Sequence, residues 1–182
     1  LKKSMDKKIT INIDGKEYQV LENKKLVDAA KENGIYIPTL CHFREIDPSL
    51  GTCRICTVMV NGKFTTSCTT KVKEGMRVEI NTPELIDTRK AIIEMLFAEG
   101  NHFCPSCEKS GNCDLQNLAY DMGLTFSRFP HVFSNKYVDF NPKRMIMEAN
   151  RCILCRRCVE EIQTTDGMDI FSFVNRGVNT RV

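Results

Sequence analysis

Ten cysteines in 182 residues constrain this chain more than any other feature, because they fall into three separated groups. They stand at 41, 53, 56 and 68, at 104, 107 and 113, and at 152, 155 and 158. Cys-x-x-Cys occurs four times, at 53/56, 104/107, 152/155 and 155/158. Its short reach lets two thiolates point at one metal centre. An exported chain could pair its cysteines as disulfides. Residues 1–8 are charged and lack an apolar h-region, so no secretory signal is read there. Clustered thiols in a reducing compartment bind metal, and a cytoplasmic location is the expectation.

The first set runs Cys41-x11-Cys53-x2-Cys56-x11-Cys68. A [2Fe–2S] cluster needs four thiolates, two per iron, and this set supplies them. Structural zinc sites use two Cys-x-x-Cys knuckles, whereas this set has one knuckle between two single cysteines, which favours the cluster. Gly51, just before the pair, lets backbone amides approach the sulfurs. His42 beside Cys41 reads as a packing residue and not as a ligand. The second set, Cys104-x2-Cys107-x5-Cys113, leaves one iron of a [4Fe–4S] cube without a ligand. His102 is the candidate fourth donor, since neutral imidazole binds iron. The third set, Cys152-x2-Cys155-x2-Cys158, is the three-cysteine stem of a cubane motif. Ile162 stands where the familiar continuation has cysteine, and no cysteine follows. Three explanations stand open: a C-terminus that continues past Val182, a [3Fe–4S] cluster, or a ligand from elsewhere. A start at Leu1 and not Met, and an end without a terminating motif, favour the first. Sets of four, three and three use every cysteine, so the expected cofactors are one [2Fe–2S] cluster and one to two [4Fe–4S] clusters.

The surrounding chain reads as α+β. Ile9, Ile11 and Ile13 alternate with polar residues as in a half-buried strand, and Asp14-Gly15 turns the chain towards Tyr18 and Val20. Leu26 to Asn33 suits a short helix ended by Gly34. Thr57 to Val60 and Lys63 to Thr66 flank Asn61-Gly62, a strong hairpin signal, and Val78 to Ile80 closes the sheet. Two hairpins, one helix and a cysteine-rich loop predict a β-grasp, ferredoxin-like domain over residues 1–81. Thr82 at N-cap and Pro83 at N1 predict a helix to Glu99, ended by Gly100. Asp114 to Met122 reads as a second helix stopped by Gly123, completing a His/Cys domain over 82–123. Residues 124–148, with Pro130 and Pro142, read as a connecting layer. Residues 149–182 carry the last triplet and an apolar stretch from Ile170 to Val174, the start of a [4Fe–4S] ferredoxin-type domain.

Several function classes are excluded. The apolar run Ala91 to Ala98 contains Glu94 and falls far short of the roughly 18 residues of a membrane helix. A formal net charge of +3 gives no support to nucleic-acid or membrane-surface binding. Gly-x-Gly, the P-loop, the Gly-x-Ser-x-Gly elbow and His-Glu-x-x-His are all missing, so no nucleotide, flavin or hydrolytic site is read. A cluster-rich chain without a substrate site reads as an electron conduit. A zinc-stabilised structural assembly module is the rival from another class. A thiol–disulfide enzyme would rest on Cys-x-x-Cys alone.

The order of three stretches resembles a known family: the four cysteines at 41 to 68, the segment Leu96 to Asn117 with Glu-Gly-Asn-His-Phe-Cys-Pro-Ser-Cys at 99–107 and Ser-Gly-Asn-Cys at 110–113, and the Cys152 triplet. It resembles the small diaphorase subunit of NAD-reducing [NiFe] hydrogenases. The same module is similar to the N-terminal part of the complex I large iron–sulfur subunit, to the front end of [FeFe] hydrogenases and to some formate dehydrogenases. The resemblance implies a non-catalytic electron-transfer subunit of an NAD-linked oxidoreductase. It implies a [2Fe–2S] cluster on Cys41, Cys53, Cys56 and Cys68 and a [4Fe–4S] cluster on His102, Cys104, Cys107 and Cys113. A further [4Fe–4S] cluster on Cys152, Cys155 and Cys158 would take its fourth cysteine farther along. The partners it implies are a flavoprotein diaphorase subunit bearing FMN and NAD, and a hydrogenase small subunit or equivalent acceptor. An input module of a complex I-like or formate dehydrogenase complex is the alternative. One departure is visible: the superfamily has His-x3-Cys, whereas this chain has His102-x-Cys104 with Gly100 four before Cys104.

Overall fold

The computed structural model describes residues 7–132, 135–141 and 143–182. Most of the charged N-terminus and Pro142 of the connecting layer therefore lie outside the described residues. The chain forms two compact units, Leu1–Arg89 and Lys90–Val182.

In the first unit, β1 (Lys8–Ile13) and β2 (Lys16–Leu21) form a hairpin, followed by α1 (Leu26–Glu32). A long cysteine-bearing loop then leads to β3 (Thr57–Val60), β4 (Lys63–Thr66) and β5 (Arg77–Glu79). The sheet order is β2-β1-β5-β3-β4. β1 and β5 pair in parallel, and the other neighbours are antiparallel. Helix and mixed sheet together give the expected β-grasp arrangement. The turn between β3 and β4 has Asn61 at φ 50° and Gly62 at φ 78°, the left-handed pair of a two-residue hairpin loop.

The alternation read in β1 is real: Ile9, Ile11 and Ile13 are buried against Leu26, Ala29 and Ala30 of α1 and Val58 and Val78 of the sheet. Burying each such isoleucine stabilises the unit by about 1.5–3 kcal/mol. Cys56 and Cys68 belong to the same core, so the first donor set is anchored in the packed interior and not on a surface loop. α1 ends in a Schellman motif, with Gly34 N–H donating to Lys31 O (3.0 Å) and Ile35 N–H to Ala30 O (2.9 Å).

α2 (Pro83–Glu99) begins in the first unit and continues into the second. Thr82 Oγ1 accepts the Leu85 N–H at 3.3 Å, as its N-cap position requires. In the second unit Ile93 and Ala98 of α2 are buried, as are Leu115, Leu118 and Ala119 of α3 (Asp114–Asp121). Glu94 is also buried; its carboxylate accepts from Arg128 Nε at 2.7 Å. Part of the connecting layer lies along α2, where Val132 N–H donates to Ala98 O at 2.8 Å.

The structure adds three elements that the sequence did not announce. Val138–Asp139 (β6) and Met147–Glu148 (β7) pair as a short antiparallel ribbon within the connecting layer. Arg157–Asp166 forms α4, directly after the Cys152-Cys155 loop. The apolar stretch Ile170 to Val174 belongs to no regular element beyond a bridge from Val174 to Arg181, and Ile170 is 57% exposed. Among the described residues no helix is long and apolar enough to cross a membrane.

Candidate metal centres

Among the described residues none of the ten cysteines is in a disulfide. The first set converges. Cys41 lies within the long loop between α1 and β3, Cys53 and Cys56 stand at the end of that loop, and Cys68 follows β4. Cys41, Cys56 and Cys68 are buried and Cys53 is partly so. The Cys53 and Cys68 thiols both hydrogen-bond to the Cys41 sulfur, and Cys68 also bonds to Cys56. Cys53 N–H points at the Cys41 sulfur at 3.4 Å. These donors hold the Cys41 thiol far below its ordinary range, opposed by burial. Cys56 is lowered to about 6, chiefly by the Cys68 thiol, with the Cys68 N–H adding to it. Cys53 and Cys68 are pushed up as the proton-holding members of the network, with burial adding to the effect.

Two backbone positions make this convergence possible. Gly51 has φ 61°, and a Cβ there would stand 2.9 Å from the Thr69 methyl. Arg54, between Cys53 and Cys56, also has a left-handed φ of 61°. The fully buried Ser67 hydroxyl donates towards the Cys56 sulfur and helps to hold that thiol low. A buried donor beside the sulfurs suits a site that keeps them deprotonated. Four interior sulfurs with amides aimed at them match the donor chemistry of a [2Fe–2S] cluster. His42 packs as expected: it hydrogen-bonds Asp28 Oδ1 through Nε2 at 3.0 Å, with Nδ1 3.3 Å from Ser49 Oγ.

The second set is gathered in the second unit. His102, Cys104, Cys107 and Cys113 line one small cavity with Phe97, Leu115, Ser110 and Gln116. A 3-10 turn at Cys104–Ser106, closed by Cys107 N–H donating to Cys104 O at 3.1 Å, joins the first two cysteines, and Cys113 leads into α3. The His102 ring packs edge-on against Phe97, centroids 5.5 Å apart. A Cβ on Gly100 would stand 2.5 Å from His102 Nε2, so the missing side chain at 100 is what admits the ring. Burial pushes the imidazole pKa down, with the charge of Arg151 acting in the same direction; this favours the neutral form that binds iron. Gln116, buried on α3, braces the loop between Cys107 and Cys113. Its Oε1 accepts Gly111 N–H at 2.7 Å and its Nε2 donates to Ser110 Oγ at 3.3 Å.

The third set is more open. Leu154 N–H donates to Cys152 Sγ at 3.4 Å, across a loop in which Leu154 and Arg156 take left-handed φ of 53° and 68°. Cys158 sits on the first turn of α4 and is exposed. Burial and the neighbouring Cys155 raise both Cys152 and Cys158, so the three sulfurs are within electrostatic reach of one another. Arg151 and Ile153, on either side of Cys152, line the same 610 Å³ cleft as His102, Cys107 and Cys113. Sets two and three are therefore neighbours. Among the described residues no three His, Cys, Asp or Glu side chains form a group that could hold a single metal ion. A cluster, by contrast, spreads its ligands over several irons.

Residues 6–83 match a family described as a 2Fe-2S iron–sulfur cluster binding domain. Residues 89–128 match the NADH-ubiquinone oxidoreductase-G iron–sulfur binding region. The first span encloses the four cysteines of the first set and the second encloses His102 to Cys113; the Cys152 triplet lies beyond both. The chain is 51% identical over 175 residues to the gamma chain of the NAD-reducing hydrogenase HoxS of Cupriavidus necator, covering 96% of this chain and 74% of that protein. It is 35% identical over 175 residues to HndD of the NADP-reducing hydrogenase of Solidesulfovibrio fructosivorans, covering 93% of this chain but only 30% of that protein. A crystal structure of an NAD+-reducing [NiFe]-hydrogenase in the H2-reduced state superposes with a TM-score of 0.90 at 37% identity, covering 95% of this chain and 73% of that one. Two iron–sulfur regions in this order, within a fold shared over nearly the whole chain, place the protein in the family of the gamma, iron–sulfur subunits of NAD-reducing hydrogenases.

Proposed function

We propose that this chain is the electron relay of an NAD-linked hydrogenase complex and has no catalytic site of its own. The carrying observation is the convergence of four interior thiols in the first unit, Cys41, Cys53, Cys56 and Cys68, with amides directed at their sulfurs. In this reading those four hold a [2Fe–2S] cluster. His102, Cys104, Cys107 and Cys113 hold a [4Fe–4S] cluster, and Cys152, Cys155 and Cys158 give three ligands to another. Bound there, the clusters supply reversible one-electron storage. The protein residues fix where the sulfurs stand, exclude water from the first set, and keep the second and third sets beside one cleft. A flavoprotein subunit with FMN exchanges hydride with NAD(H) on one side, and a hydrogenase small subunit or equivalent acceptor serves the other. The cytoplasm is the proposed compartment.

Exposed apolar side chains in the second unit support work inside an assembly. Phe103, Phe126, Phe140 and Ile146 are each at least 60% exposed, which suits surfaces covered by other subunits. The test is made on the anaerobic holoenzyme. Reduction by NADH or H2 should bring up [2Fe–2S] and [4Fe–4S] EPR signals, and Cys56→Ala should abolish the first signal alone. A holoenzyme of unchanged composition that shows neither signal, or a Cys56→Ala enzyme that keeps the first, overturns this reading.

A further inference from the structure

A charged side chain occupies a core position on α2. Leu85, Arg89 and Ile93 recur every four residues on the buried stripe of the helix, and Arg89 is as enclosed as its apolar neighbours, at 2% exposure. Its Nη2 donates to the carbonyl of Thr57 at 2.8 Å, the residue after Cys56. Its Nε is buried with no hydrogen-bond partner among the described residues. Burying a guanidinium with an unmet donor is costly, and an apolar residue of similar volume would serve packing alone better. The retained charge therefore calls for anions, and those acting on it are the Cys56 sulfur and, from the exposed β1–β2 turn, Asp14. Asp14 is already engaged, its Oδ1 accepting the Ile80 N–H at 2.8 Å, and solvent screens it. The interior thiolate is not screened in this way.

We propose that Arg89 is a buried counter-charge to the first donor set, raising the reduction potential of the group held by Cys41, Cys53, Cys56 and Cys68. This rests on the reading that the set binds a [2Fe–2S] cluster. Reduction adds one electron, and so one negative charge, from an outside donor. No bond is made or broken and no proton moves. A fixed positive charge in a low-dielectric interior favours the more negative state, so Arg89 makes the cluster easier to reduce. Arg89 is a positioning and tuning residue and needs no contact with iron.

The experiment is an EPR-monitored redox titration of the full complex carrying Arg89→Gln or Arg89→Lys. Glutamine removes the charge but keeps a donor for Thr57 O; lysine keeps the charge. Arg89→Gln should lower the one-electron reduction equilibrium of the [2Fe–2S] signal by about tenfold, equivalent to about 59 mV. Arg89→Lys should stay within about threefold of the unmodified protein, and the [4Fe–4S] signals should not move. An unshifted potential in Arg89→Gln, or equal shifts in both variants, overturns the proposal in favour of packing. If Arg89→Gln fails to retain the cluster, Arg89→Lys decides. Retention at the unmodified potential supports the counter-charge, and loss in both variants makes Arg89 a structural strut. Absence of any [2Fe–2S] signal in the unmodified complex would instead refute the underlying assignment.

Discussion

His102 approaches the cavity of Cys104, Cys107 and Cys113 by laying its Nε2 2.5 Å from the place that a Cβ on Gly100 would take. The nearest atom is the tip of a side-chain ring, with the Asn150 carbonyl next at 3.2 Å, so Gly100→Ala should chiefly displace the ring. The expected result is an altered or labile second cluster, read by EPR, with the [2Fe–2S] signal unchanged. In a His102→Ala background the same change should add little, because its target is gone; full additivity in the double mutant would contradict the account. The candidate cysteine sets were legible because spacing alone carries their signal. Arg89, Ser67 and Gln116 were not. Their roles depend on burial beside the sulfurs or their loops, and a single polar residue on an apolar helix carries no mark of the carbonyl it will meet. Gly100 could have been found, since it stands where the superfamily pattern places a histidine.

At the scale of elements, local chemistry and fold agree wherever a turn or cap is written in residues. Asn61-Gly62 takes the left-handed pair, and Thr82 caps α2 through the Leu85 N–H. Thr82→Ala should lower stability by about 1 kcal/mol, measured by denaturant unfolding of the cluster-loaded chain. An unchanged midpoint would show that the cap contributes nothing. The elements missed have no such signals. α4 starts from Arg156 in a left-handed conformation, with no side-chain cap, inside the cysteine triplet. Its opening turn therefore reads as ligand spacing and not as helix periodicity. β6 and β7 are two residues each, too short for alternation to be seen. Ile170 to Val174 reads as an apolar stretch in the sequence, yet Ile170, Ser172 and Val174 are exposed and Phe171 and Phe173 half-buried, because burial of an apolar run depends on what the rest of the chain brings to it.

For the whole molecule, the proposed clusters would couple metal binding to folding. The first donor set lies partly within the hydrophobic core of its unit, so ligation would add to packing in holding the loop from Cys41 to Cys56. The second unit would lean more on its donors, since much of 124–182 lies outside helices and strands. The central claim is that these thiols hold iron and sulfide. It is tested most directly by iron, acid-labile sulfide and zinc analysis of anaerobically purified protein. About ten irons and ten sulfides per chain are expected if all three sets are filled, and about six of each if the Cys152 set lacks its fourth ligand. Stoichiometric zinc without acid-labile sulfide would contradict the account and leave a structural metal module.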